Sequence, residues 1–147
     1  LDGKFTGVSR FWGIDANALK AELDVSYRYG TKLEASAKVG YHRWKTADGG
    51  ETISYNRPQW EGGANIRYMP VRPFVLEAGY EFAAGREYSN LGKLSDIHLV
   101  HLKASYAFTS WFSLYGLTDN VLNRKYDILY GMPAQGINFM FGVDLKF

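Results

Sequence analysis

The final segment of the chain, residues 136–147, alternates apolar and polar side chains up to its last residue. Side chains of a strand point alternately to its two faces, so this segment has one apolar and one mostly polar or small face. A soluble sandwich could use such a strand, but it would seldom end on an exposed aromatic. Outer-membrane barrels use this arrangement routinely, with lipid outside and polar groups inside. The apolar face carries Ile137, Phe139, Phe141, Val143, Leu145 and Phe147.

The composition agrees with an all-β chain that crosses a membrane by strands. The chain holds 11 Tyr, 9 Phe, 4 Trp and 16 Gly but only 4 Pro, and its mean hydropathy is −0.26. No stretch approaches the roughly 18 apolar residues that a membrane helix needs. A water-soluble β-sandwich or a lipocalin-like barrel is the alternative, because half-buried strands there alternate too.

Charge and cysteine content exclude several other classes. The absence of cysteine rules out a disulfide framework and thiolate zinc sites. The net charge of +2, with both signs interspersed, gives no reason to expect a nucleic-acid partner. The first residue is Leu1 rather than Met, so we expect either a removed signal peptide or a start within a longer protein.

Eight segments have the pattern of strands. We expect residues 1–147 to be a single domain or the C-terminal part of one, with no plug domain. Each segment has about ten residues, which suits the roughly 9–11 that a tilted strand needs to cross a bilayer. We therefore predict an antiparallel transmembrane β-barrel of about eight strands, either part of a larger barrel or a small closed one. Six strands are clearly patterned, at 18–29, 32–44, 59–69, 74–82, 98–108 and 136–147, and two weakly, at 4–12 and 111–120.

The predicted connections alternate between short and long. Outer-membrane barrels place short turns on the periplasmic side and long loops outside the cell, whereas a soluble meander has no reason to alternate. Aromatic residues flank both sets of connections, which predicts two interfacial belts, although Tyr and Phe also favour strands in general. The short turns are 30–31, 70–73 and 109–110; the longer segments are 46–58, 84–95 and 121–135, with a lesser one at 14–17.

The segment from Trp111 onward resembles the end of a TonB-dependent outer-membrane receptor. That family closes with a strand, an N-L-F-N/D-K-K-Y element, a G-x-P-x-x-G-R loop and a final strand ending in Phe. The resemblance covers about the last quarter of the chain, and Val121, Leu122, Arg124 and Ile137 depart from the pattern. The matching residues are Asn120, Asn123, Lys125, Tyr126, Gly131, Pro133, Gly136 and Phe147.

The resemblance implies a 22-stranded barrel with an N-terminal plug in the outer membrane of a Gram-negative bacterium. It implies import of a scarce ligand such as a ferric siderophore, cobalamin or a glycan. The implied partners are the lipid bilayer, the barrel-insertion machinery, the remaining barrel and plug, and TonB through an N-terminal part that this chain does not contain. Because the chain has room for about eight strands, we interpret it as the C-terminal part of such a receptor.

A complete eight-stranded barrel with a structural or adhesive role is the competing interpretation. Eight strands can close around an interior filled by side chains. The inward faces carry six cationic and seven anionic residues, which could neutralise each other there. They are Lys20, Glu22, Asp24, Arg28, Glu34, Lys38, Glu61, Arg67, Glu77, Glu81, Lys103, Asp144 and Lys146.

The sequence gives little support for catalysis, and we expect no enzyme, cofactor or metal site. It contains no G-x-S-x-G, no Gly-rich phosphate loop and no Asp-rich calcium loop. His98 and His101 are three residues apart on a strand, so they should face opposite sides. A membrane enzyme would need a nucleophile or base near the outer rim, where nothing in the sequence pairs His42 with Ser54.

Glu77 and Glu81 share an inward face and could form an acid pair. Neighbouring strands offer Arg67 and Lys103 as partners, however. We therefore predict structural ion pairs at this position.

Ligand contact should come from the predicted external loops, which carry aromatic and polar side chains suited to capture. The alternative is that these side chains are solvated or pack on the rim of the sheet. The candidate residues are Trp44, Tyr55, Arg57, Arg86, Tyr88, Asn90, Tyr126, Tyr130 and Gln135.

The last strand carries a separate hypothesis about assembly. A C-terminal aromatic strand resembles the signal that the insertion machinery recognises, here Phe139, Phe141, Val143, Leu145 and Phe147. Deleting Phe147, or the substitution Phe147→Asp, should therefore impair assembly without affecting a ligand site. Unchanged levels of heat-modifiable barrel in the mutant would contradict this hypothesis.

Overall fold

The computed structural model describes residues 4–15, 18–44, 58–87 and 92–146, with the backbone alone at 4–15, 18 and 44. The described chain is all-β and antiparallel. The strands are β1 (Lys4–Asp15), β2 (Ala18–Tyr29), β3 (Leu33–Trp44), β4 (Trp60–Val71), β5 (Phe74–Ala84), β6 (Ile97–Ala107), β7 (Phe112–Asp119), β8 (Asp127–Leu129), β9 (Met132–Pro133) and β10 (Asn138–Leu145).

Eight long strands form one sheet in the order β1-β2-β3-β4-β5-β6-β7-β10, and β8 pairs with β9 in a small separate hairpin. All eight predicted strands are confirmed, including the weakly patterned β1 and β7. The hairpin lies inside the segment 121–135, which the sequence predicted as a loop. Among the described residues, no helix has the length and apolar character required to cross a membrane.

The turn between β4 and β5 is shorter than predicted, because β4 continues to Val71 and leaves Arg72 and Pro73 as the turn. With this two-residue turn, Val71 faces Phe74, and unbroken pairing would place Arg67 opposite an apolar residue of β5. A bulge between Tyr68 and Val71 shifts the pairing by one position. The bulge therefore places the polar side chains of β4 beside the polar side chains of β5, and Arg67 pairs with Glu77.

The apolar face of the sheet is exposed. Leu94 is the one buried hydrophobic side chain among the described residues. The chain exposes 10702 Å² of surface, whereas a compact monomer of this mass exposes roughly 7,600 Å². The apolar side chains thus do not close a core of their own. The exposed large side chains on this face include Leu23, Trp60, Ile66, Tyr68, Leu76, Leu102, Tyr106, Leu114, Phe139, Phe141, Val143 and Leu145.

The polar face is curved. One cavity of about 630 Å³ is lined by residues from all six strands β2 to β7, which requires the sheet to curl around that face. The backbones of neighbouring strands approach each other closely at Gly62 and Gly63. A Cβ at Gly62 would collide with the carbonyl oxygen of Lys38, and one at Gly63 would lie 2.6 Å from the carbonyl oxygen of Tyr80. Only glycine permits such a close backbone approach within a strand.

The two edges of the sheet are β1 and β10. Within the described ranges, β1 pairs with β2 and β10 pairs with β7, and these two strands are not paired with each other. The described sheet is therefore open, so a closed eight-stranded barrel is not observed here.

Candidate functional site

A row of alternating charges crosses the polar face from β2 to β6. Arg28 Nε lies 3.0 Å from Glu34 Oε1, and Arg67 Nη1 lies 3.9 Å from Glu34 Oε2. The row continues through Glu77, which lies 3.3 Å from Arg67 Nε and 3.3 Å from Lys103 Nζ. We call these five residues the charge ladder. Each is the direct Cα partner of the next across neighbouring strands.

The charge ladder confirms that Glu77 forms ion pairs with Arg67 and Lys103. Its side chains are 38–60% exposed. In contact with water, each such pair contributes only about 0–1 kcal/mol. The ladder therefore contributes little to the stability of the fold, and its main effect is to fix the positions of the charged groups on this face.

A second polar cluster lies on the same face where β2, β3 and β4 run side by side. His42 Nε2 lies 3.0 Å from Glu61 Oε1, and His42 is buried. Lys20 Nζ lies 2.9 Å from Glu22 Oε1. Gly40 lies between the two carboxylates, because it is the Cα partner of both Glu22 and Glu61.

The other two histidines lie on opposite faces of β6, as the alternation predicts. His101 Nδ1 is 3.0 Å from Asp119 Oδ1 on the polar face, and its Nε2 lies 3.8 Å from Glu81 Oε2. His98 Nδ1 is 2.8 Å from the Tyr80 hydroxyl on the apolar face. His98 therefore belongs with the aromatic side chains of the rim, where Tyr41 and Trp60 also pack together with ring centroids 4.7 Å apart.

The polar face carries two neighbouring cavities. The one of about 630 Å³ is lined by all five residues of the charge ladder together with His101 and Asp119. The other, of about 730 Å³, lies nearer the long connections and is lined by Glu61, Glu81 and Tyr126. Tyr126 belongs to the connection between β7 and β10, so this connection folds over one end of the polar face.

Asparagine side chains hold the connection between β7 and β10 in shape. Asn120 has φ 50, a left-handed conformation that asparagine tolerates better than most residues. The Asn120 Nδ2 donates to the carbonyl oxygens of Arg124 and Gln135, at 2.9 and 3.3 Å. Its Oδ1 accepts from the Arg124 backbone N–H at 2.9 Å. Buried Asn120 thus ties both arms of the connection together.

Asn123 makes the next tie in the same connection. It also has a positive φ of 46, and its Oδ1 accepts from the Ile137 backbone N–H at 3.1 Å. A Cβ at Gly136 would lie 2.7 Å from that oxygen, which explains the glycine. Gly131 has φ 74 in the turn between β8 and β9, a conformation that favours glycine. Four of the residues that carry the family resemblance therefore stabilise the loop itself.

Arg86 joins the β5–β6 connection to the β8–β9 hairpin. Its Nη2 donates to the carbonyl oxygens of Asp127 and Ile128, at 2.8 and 2.9 Å, and its Nη1 to that of Ser95 at 3.2 Å. Arg86 is 3% exposed, and burial lowers the pKa of its guanidinium. Because arginine stays protonated at physiological pH, these charge-assisted hydrogen bonds persist there.

Four of the predicted ligand residues are described, and all four lie in the two connections that Arg86 joins. Arg86 is buried by its backbone contacts, whereas Tyr130 and Gln135 are exposed and Tyr126 is half-buried against the cavity. Tyr55, Arg57, Tyr88, Asn90 and the Trp44 side chain lie outside the described residues.

The hypothesised assembly residues lie on the exposed apolar face of β10. Phe139 is 61% exposed and Phe141 81% exposed, and Val143 and Leu145 are exposed beside them. The Phe141 ring lies over Gly116 of β7, where a Cβ would be 3.1 Å from the ring. Phe147 lies outside the described residues.

The grouping of Glu22, His42 and Glu61 was not predicted from the sequence. Their spacing in the chain carries no signal, because the three are brought together only by the pairing of β2, β3 and β4. The one local signal was Gly40, which interrupts the polar positions on one face of β3 and leaves space beside His42. Comparison of the chain with protein families, with curated proteins and with solved structures found no match.

Proposed function

We propose that this chain is the C-terminal part of a TonB-dependent outer-membrane importer of a scarce ligand such as a ferric siderophore, cobalamin or a glycan. The observation that carries the proposal is the contrast between the two faces of the sheet: one face is apolar and exposed, and the other is charged and curved. In this role the chain binds no nucleic acid and performs no catalysis.

The exposed apolar face needs a solvent other than water. Burying a large apolar side chain is worth about 1.5–3 kcal/mol, and here many such side chains lie on a continuous face. Patches of this extent mark a membrane or an interaction surface. Lipid covers the face in the proposed function, and aromatic side chains such as Trp60 and Tyr80 lie at the headgroup level.

The open edges favour part of a larger barrel over a small closed one. An unpaired strand edge leaves backbone N–H and C=O groups unsatisfied, which lipid does not tolerate. In the proposed receptor, further strands pair with β1 and β10. The ion-paired polar face then lines the lumen, against water or the plug.

The loop between β7 and β10 supports the choice of family. Asn120, Asn123, Gly131 and Gly136 match the family pattern and also hold the loop in shape. Residues that match the pattern and also make specific contacts in this loop support the proposal more strongly than the match in sequence alone. In the proposed function the ligand is captured on the outer side, where Tyr126, Tyr130 and Gln135 lie in the connection between β7 and β10.

The test is the intact mass of the native gene product in purified outer membranes of the source bacterium, detected with an antibody against the last strand. A heat-modifiable species several times larger than 16.6 kDa is expected for an importer. A heat-modifiable product of 16.6 kDa would instead mean a self-contained small barrel. Recovery in the soluble fraction would overturn the membrane assignment itself.

Transport is tested separately, by growth of a deletion strain on ferric siderophores, cobalamin or glycans as the limiting nutrient. Loss of growth on one of these, matched by the loss in a strain without TonB, is the expected result. Growth equal to that of the parent strain on all three classes would count against import.

A further inference from the structure

We infer that Glu22, His42 and Glu61 form a binding site for a divalent transition-metal ion, a site that is independent of the proposed import function. The ligand atoms, one carboxylate oxygen from each glutamate and one ring nitrogen of His42, all lie within 4.8 Å of one another. They come from three adjacent strands, so the sheet itself fixes their positions.

The spacing of these atoms suits a small metal ion. Zinc binds nitrogen and oxygen at about 2.0–2.2 Å, so two ligand atoms on a tetrahedral ion are roughly 3.4 Å apart. His42 Nε2 and Glu61 Oε1 are already 3.0 Å apart. The Glu22 oxygen needs to move by only a fraction of its side-chain length to complete the set.

Gly40 provides the space in which the ion would lie. A Cβ at this position would be 3.2 Å from His42 Nε2, 3.6 Å from Glu61 Cγ and 3.7 Å from Glu22 Cγ. The missing side chain therefore leaves an opening that all three ligand residues border. Gly40 and His42 are buried, whereas the Glu61 side chain is 46% exposed, so the opening is bounded by protein on one side and can be reached from solvent on the Glu61 side.

The chemistry of the ligands selects the class of ion. One imidazole and two carboxylates suit zinc and its first-row neighbours, whereas calcium and magnesium prefer oxygen ligands alone. Cysteine, which would favour softer ions, is absent from the chain.

Two lysines compete with the ion. Lys20 Nζ lies 2.9 Å and Lys38 Nζ 3.7 Å from Glu22 Oε1. Their side chains are 44% and 54% exposed, so both can swing into solvent when an ion arrives. Because they repel a cation, they lower its affinity, and this makes a specific prediction: removing one lysine should strengthen binding.

The experiment is an isothermal calorimetric titration, with Zn²⁺, of the metal-free full gene product purified in detergent. Co²⁺ absorption reports ligand geometry independently. We expect one saturable site whose affinity falls more than about tenfold in Glu61→Gln and in His42→Asn. Excess Ca²⁺ should not displace the ion.

Three further variants separate metal binding from folding. Gly40→Ala keeps every ligand but fills the opening, and should abolish binding. Gly79→Ala is the matched control on the same face, since its Cβ would meet Asn65 and His101 rather than the site. Lys20→Met should bind Zn²⁺ about fivefold more tightly, a gain that misfolding cannot produce.

The inference is overturned by either of two results. One is the absence of saturable Zn²⁺ binding to the parent protein whose strand content is intact by circular dichroism. The other is a Zn²⁺ affinity that stays the same in Gly40→Ala and Glu61→Gln, which would place the ion elsewhere.

Discussion

The polar and apolar faces of the sheet are organised in different ways. On the polar face, charged atoms meet specific partners, as Glu77 meets Arg67 and Lys103 at 3.3 Å. On the apolar face, aromatic rings pack at centroid distances from 4.7 to 6.5 Å and at varied angles. The contacts of the polar face therefore require a particular residue at each position. The contacts of the apolar face require only that the side chains be apolar. Four substitutions test how the two faces, the backbone that they share and the loops beside them are stabilised.

The largest expected effect comes from a charge in the middle of the apolar face. If the apolar face meets lipid, as in the proposed function, Leu102→Arg should destabilise the inserted protein by about 2–4 kcal/mol, because lipid solvates a cation poorly at mid-strand. Ser36→Arg is the control at mid-strand on the polar face and should cost much less. Urea titration of both variants in lipid vesicles measures the difference. Equal losses would show that the two faces do not meet different solvents.

The next largest effect tests the close approach between the backbones of neighbouring strands at Gly62. Gly62→Ala should destabilise the protein by about 2–3 kcal/mol, because the new Cβ meets the Lys38 carbonyl and lies 2.8 Å from the Phe82 ring. Gly79→Ala is the control, since side-chain atoms of Asn65 and His101 can yield. Denaturant midpoints of both variants give the comparison. A midpoint for Gly62→Ala no lower than that of the control would refute the close approach.

A smaller effect is expected in the loops, away from both faces. Arg86→Ala should cost about 1–2 kcal/mol and open the connections, because it removes the guanidinium hydrogen bonds to the carbonyls of Ser95, Asp127 and Ile128. Arg86→Lys should recover only part of the loss, since a lysine cannot reach three acceptors in the same plane. Limited proteolysis measures the opening. Cleavage rates equal to those of the parent protein would show that Arg86 does not hold the connections.

The smallest effect is expected from the charge ladder itself. Glu77→Gln should cost less than about 1 kcal/mol, because its ion pairs are partly exposed to water. Added salt should shrink the difference further by screening the charges. A double-mutant cycle with Arg67 isolates the pair. A coupling of several kcal/mol, unchanged by salt, would mean that the ladder is shielded from water.

The strands could be predicted from the sequence because alternation is a local property. Even β1 and β7, whose patterns are weak, lie where the sequence predicted them. The small hairpin β8–β9 could not be predicted, because its two strands have only five residues between them and little alternation.

The sites depended on pairing, which the sequence does not reveal directly. Glu77 could be assigned partners because Arg67 and Lys103 were the cations available on neighbouring strands. The approach of Glu22, His42 and Glu61 depends on the register of three strands. Arg86 looked like a residue for ligand capture because it lies in a polar segment. Its burial depends on the distant hairpin, 41 residues later in the chain.

The charge ladder has a consequence for how the strands find their alignment. Alternation specifies only parity, since a slip by one residue exchanges the faces but a slip by two restores them. A slip by two between β4 and β5 would replace Arg67 opposite Glu77 with an uncharged residue in either direction, and in one direction it would set Glu61 opposite Glu81. The ladder thus distinguishes alignments that hydrophobicity treats as equivalent. Although each ion pair is weak, together they specify the register of each strand, because misaligned sheets lose these pairs.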